Sequence, residues 1–145
     1  MLLEAAILSL DEEASAWADG LLRTVEEAAA TDPASVAETF LRAVLGDAQW
    51  EAFPPRARQM FIDNGPAILA ELRGGFLEAT EEDLAGVSVP TLLVAGRDSS
   101  EPFRRVTTTM GVAIPGSRTE LVEGGHFIDP GEPSVLGFVR SVLDA

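Results

Sequence analysis

The feature that most constrains this chain is a short apolar run, Val89-Pro90-Thr91-Leu92-Leu93-Val94-Ala95-Gly96. It is rich in β-formers and closes on glycine. A run this short and this continuously apolar reads as a strand buried on both faces. A helical pattern follows over Pro102 to Val112, then a second strand-like run, Arg118–Val122, then an amphipathic helix over Pro133–Leu143. Strand, helix, strand, helix at this spacing predicts parallel strands joined by right-handed crossovers.

The residues before this block have a different period. Residues 1–10 are apolar apart from Glu4 and Ser9 and read as a buried strand running into a loop. From Asp11 to Ala30 the pattern is helical, with Trp17, Leu21, Leu22 and Val25 on one face. Asp32-Pro33 marks the next helix start, Asp32 as the cap and Pro33 in the first turn. That helix buries Val36, Phe40, Leu41 and Val44 and stops at Gly46. Pro54-Pro55 begins another helix, broken at Asn64-Gly65-Pro66. Pro66 opens a further one, ended by Gly74-Gly75. The expected organisation is therefore a strand over 1–10, a helical region over 11–86, and a β-α-β-α segment over 87–145. The internal boundary is expected at Asp83–Gly86.

Composition narrows the function classes. With 46% hydrophobic residues among 145, the chain can bury a core and is expected to be one domain. Formal charge is −14, and all ten basic residues are Arg. An acidic surface repels nucleic acid and anionic membranes, so neither is expected as a partner. No apolar run reaches the roughly 18 residues of a membrane span. The start, Met1-Leu2-Leu3-Glu4, lacks the basic region of a signal peptide. A cytoplasmic location is expected. With no Cys and one His, neither disulfides nor a zinc site is expected, and no metal or cofactor is implied.

That single histidine, His126, stands in Val122-Glu123-Gly124-Gly125-His126-Phe127, between the second strand and the last helix. Together with Val89–Gly96 and Ile114-Pro115-Gly116-Ser117-Arg118, this block resembles the C-terminal half of an α/β-hydrolase. The resemblance covers residues 87–145. It implies an α/β fold: a partial α/β-hydrolase with a small, mostly parallel three-stranded sheet. Residues 11–85 match the position of the family's helical lid, and residues 1–10 look like strand six.

The resemblance implies that His126 stands where the family places its general base. The acid that orients such a base usually lies three residues after the glycine ending strand seven, and here that residue is Ser99. Asp98 is one residue early, and its side chain is expected to point elsewhere. Glu4 is the better candidate, because Leu2-Leu3-Glu4-Ala5-Ala6 is similar to the strand-six ending of relatives that keep the acid there. An acid at that place can still hold the ring nitrogen distal to the nucleophile. Trp50, Phe53 and Phe127 are candidate contacts for an apolar substrate, with plain packing as the alternative for the lid aromatics. Arg104-Arg105 reads as a solvated helix face.

The nucleophile has no counterpart. No Gly-x-Ser-x-Gly occurs, and none of the nine serines has the strained strand-to-helix setting that exposes a hydroxyl. Three readings stay open. One is an acyl or ester hydrolase half, with His126 as base and the serine on another chain. One is a non-catalytic small-molecule-binding or self-associating module. One is a gene remnant with no independent function. If strand five is missing, residues 2–8 are expected to expose an apolar strand edge, which invites a second copy or a partner chain.

Overall fold

A computed structural model of the chain describes residues 1–144, which form two compact units. One comprises Met1–Ala14 and Leu77 onward; the other comprises Ser15–Phe76.

The first unit is built on a three-stranded parallel sheet, β1 (Leu2–Leu3), β2 (Leu92–Gly96) and β3 (Arg118–Val122), in the order β1-β2-β3. Register pairs Leu2 with Leu93 and Leu3 with Val94. Leu92 pairs with Arg118, and Gly96 with Val122. Every residue of β2 is buried, as a central strand covered on both faces requires. The crossover between β2 and β3 is α7 (Glu101–Ala113), which packs on β2 through a face including Phe103, Val106 and Met110. On the opposite face α8 (Pro133–Leu143) closes a cluster of Leu92, Val94, Val122, Val135 and Phe138, with Leu3 and Ile128 against it. The expected strand at 118–122 and helix at 133–143 form over those residues.

The expected strand over 1–10 is far shorter. Glu4 donates its N–H to the Val94 carbonyl at 2.9 Å and then adopts φ 48°, which takes the chain out of extended geometry. Leu8–Leu10 form a 3-10 turn, with Ile7 and Leu8 buried. The bare strand edge is therefore confined to Leu2 and Leu3, not residues 2–8.

The boundary also differs from Asp83–Gly86. Residues 77–86 belong with the sheet, because Ser9 and Ala79 exchange hydrogen bonds of 3.3 and 3.2 Å. Beyond them Thr80 and Asp83 form a reciprocal capping box that starts α6 (Glu81–Ala85), whose Leu84 is buried.

The second unit is wholly helical. It holds most of α1 (Glu12–Thr31), then α2 (Val36–Leu45), α3 (Asp47–Ala52), α4 (Pro55–Asp63) and α5 (Gly65–Gly74). Leu21 and Val25 of α1 are buried as its period predicts. Asp32 accepts the Ala34 N–H at 3.0 Å and caps a 3-10 turn that leads into α2. Helix α2 is central and packs on α3, α4 and α5. The short α3 carries too few residues to show a period in the sequence. It is held by burial of Trp50 and by Arg42, which hydrogen-bonds Glu38, Asp47 and Glu51.

Candidate functional site

The site forms at the end of β2, beside the residue that follows β1. Gly96, the last residue of β2, is followed by a tight turn in which the Ser99 N–H bonds the Gly96 carbonyl at 3.2 Å. Pairing with the other neighbour continues past the strands: Arg97 N–H reaches Val122 O and Asp98 N–H reaches Gly124 O, each at 2.9 Å. These bonds lay the Gly124-Gly125-His126 loop directly over Gly96. A methyl group at Gly96 would collide with the Gly124 and Gly125 carbonyl oxygens and sit 2.8 Å from the Gly125 carbonyl carbon. Only glycine fits there. Gly124 turns the loop with φ 99°, a conformation that other residues rarely adopt.

Glu4 enters this corner from β1. It is 7% exposed, and both carboxylate oxygens are engaged. Oε1 accepts the Gly96 N–H at 2.6 Å. Oε2 accepts the Ser99 hydroxyl at 2.7 Å and lies 3.1 Å from His126 Nδ1. A carboxylate that is accepting from two donors is an acceptor toward the ring as well, so Nδ1 carries a proton, and in the neutral ring Nε2 keeps the lone pair. The positive φ of Glu4 costs roughly 1 kcal/mol or more for a residue with a side chain. Its three hydrogen bonds offset that cost.

His126 is held from a second direction. The Phe103 ring of α7 lies against the imidazole, with centroids 4.3 Å apart and planes inclined at 47°. The His126 side chain keeps 21% exposure, enough to offer an edge to a reactant.

The structure brings Glu4 and His126 together. Asp98 is exposed, and no hydrogen bond joins its carboxylate to His126. One residue's offset after the strand sends it outward while Ser99 turns in. Phe127 neighbours His126, with ring centroids 6.3 Å apart, and is 60% exposed. Trp50 and Phe53 lie in the helical unit, where they form an aromatic trio with Phe61 at centroid distances of 5.2 to 6.4 Å. Trp50 is 2% exposed and packs in the core of that unit. Arg105 is engaged with Asp11 and Glu13 at 3.0 and 3.2 Å.

Three contributors were not singled out in the sequence: the Gly96 N–H, the Ser99 hydroxyl and the Phe103 ring. Ser99 had a signal, since it is the third residue after the glycine that ends β2. Phe103 had only the period of α7, which cannot distinguish packing on the sheet from packing on a histidine. Among the described residues no group of three or more His, Cys, Asp or Glu side chains could hold a metal ion. No helix among them is long and apolar enough to cross a membrane.

A parallel sheet flanked by helices, with a histidine loop after its last strand, is an α/β fold consistent with part of an α/β-hydrolase-like fold. One solved structure with this likeness is the carboxylesterase CesB from Bacillus subtilis, at TM-score 0.54 and 22% sequence identity. The match covers 98% of this chain and 48% of that one, so the chain spans about half the length of the esterase. At this identity the likeness establishes the fold alone. No protein-family model and no curated protein sequence matches the chain.

Proposed function

We propose that the chain is the C-terminal half of an α/β-hydrolase-type acyl or ester hydrolase, carrying the base and its orienting acid. The observation behind this reading is the Glu4–His126 hydrogen bond at 3.1 Å, on a loop whose glycines pack over the end of β2. In the proposed mechanism Glu4 holds the Nδ1 proton and stabilises the imidazolium as it forms. His126 Nε2 takes the proton of an attacking hydroxyl and returns it to the leaving group. Ser99 is not that hydroxyl. It donates to Glu4, on the Nδ1 side of the ring. The nucleophile and its oxyanion donors would come from a polypeptide supplying the remaining strands, paired to β1 at Leu2–Leu3. Residues 15–76 would serve as the lid.

The test is fluorophosphonate labelling, read by intact mass, of the chain alone and with a separately produced N-terminal α/β-hydrolase half that carries a Gly-x-Ser-x-Gly turn. Labelling and ester hydrolysis are expected only in the pair, on the partner's serine, and are lost in His126→Ala. Labelling of a serine on this chain alone would overturn the assignment of the nucleophile. Full hydrolysis by the pair containing His126→Ala would overturn the role of the base. The absence of Gly-x-Ser-x-Gly favours one second reading, a non-catalytic self-associating or small-molecule-binding module. It predicts a stable self-dimer or bound ligand that His126→Ala leaves unchanged.

A further inference from the structure

We infer that Ser99 is a positioning residue that sets the plane of the Glu4 carboxylate, and through it the proton on the His126 ring. Its consequence for catalysis rests on the function proposed above; the geometric part does not.

The terminal torsion of a glutamate is broad and twofold, so a single hydrogen bond leaves the carboxylate free to turn about it. Gly96 N–H anchors Oε1 and by itself would allow that rotation. The Ser99 hydroxyl anchors Oε2, the same oxygen that faces His126 Nδ1. Two anchors on two oxygens fix a plane. The hydroxyl is itself fixed: Ser99 is 4% exposed and its N–H is tied to Gly96 O by the turn that follows β2. A side chain that only filled this space would not need a hydroxyl, and Ala would fit as well. The donor matters because a buried carboxylate oxygen shared with a ring nitrogen depends on its other partners for direction.

The chain has one histidine, so the two nitrogens of its neutral ring give an unambiguous nitrogen-15 spectrum. The expected wild-type pattern is protonated Nδ1 and unprotonated Nε2. Ser99→Ala is expected to lower the Nδ1–H population several-fold in favour of Nε2–H, and Ser99→Thr, which restores a hydroxyl, to recover it. Ser99→Cys keeps the size with a weaker donor and is expected to fall between them. It also carries the test if Ser99→Ala does not fold. A folded Ser99→Ala or Ser99→Cys chain with wild-type ring shifts would reduce Ser99 to a space filler. This outcome is independent of whether any serine is ever labelled by a fluorophosphonate.

Discussion

Glu4 and His126, 122 residues apart in sequence, meet with Oε2 3.1 Å from Nδ1 at the end of a parallel sheet. Neither residue could be placed there by its own surroundings. The contact exists because β1 pairs with β2 and β2 pairs with β3: β2 and β3 end together at Gly96 and Val122, and β1 ends at Leu3 opposite Val94, just before Glu4.

Removing the Glu4 carboxylate should cost stability. Glu4→Ala strands the buried Gly96 N–H and Ser99 hydroxyl, each at about 1–3 kcal/mol when left unpaired. Relief of strain at φ 48° is not expected to compensate, since alanine also disfavours that region. Urea unfolding should show a net loss of about 2–4 kcal/mol. Asp98→Asn, at an exposed position, should stay within about 0.5 kcal/mol of wild type. Equal effects of the two substitutions would remove the case for Glu4.

Two glycines give opposite expectations. Gly96→Ala drives a methyl group into two backbone carbonyls, which have no side chain to move aside, and should cost about 3 kcal/mol or more. Gly137→Ala, inside α8 with nothing within 4 Å of the added carbon, should stabilise by about 0.5–1 kcal/mol. Thermal melts of the two variants decide the matter. A Gly96→Ala chain melting like wild type would mean the His126 loop does not rest on β2.

Acid should loosen the start of α1. Arg105 beside Asp11, together with the Ala14 N–H that Asp11 accepts, holds the Asp11 carboxyl below its ordinary 3.8. A carboxyl lowered in the folded state contributes stability that is fully present above its unfolded value. That stability is lost as pH falls through the folded value. Wild type should therefore lose stability below about pH 4 more steeply than Asp11→Asn, which keeps a cap but not the charge. Parallel stability–pH curves for the two chains would show that the Arg105 pair does not operate in solution.

Exposed apolar surface on α8 should show in solution behaviour. Leu136 and Val139 are exposed on a helix whose Val135 and Phe138 are buried against the sheet. If a partner or second copy covers this unit, the isolated chain should bind a hydrophobic dye and elute above monomer mass. Leu136→Lys/Val139→Lys should reduce both while changing stability by no more than about 0.5 kcal/mol per site. A wild-type chain that is monomeric and dye-silent by light scattering and fluorescence would count against the partner.

Much of the architecture was legible from local patterns. The strand at 118–122 and the last helix follow from residue period, and Asp32, Gly46 and Gly75 mark helix ends through backbone chemistry that operates within a few residues. The region around α3 was not legible, because six residues are fewer than two turns and their helix depends on burial of Trp50.

The sequence by itself determined the order of the strands and longer helices, the parallel sense of the sheet, the loop that carries His126 and the lack of a nucleophile elbow. Those properties reside in spacing, in glycine and proline, and in the period of apolar residues. The resemblance already favoured Glu4 over Asp98; only the tertiary structure put its carboxylate against His126 Nδ1, cut the first strand to two residues and drew Ser99, Gly96 N–H and Phe103 into the site. The reason is physical: a single residue's offset at a strand end reverses the direction of a side chain. Which carboxylate reaches a histidine more than a hundred residues away is set by strand register, and register forms only when the sheet does.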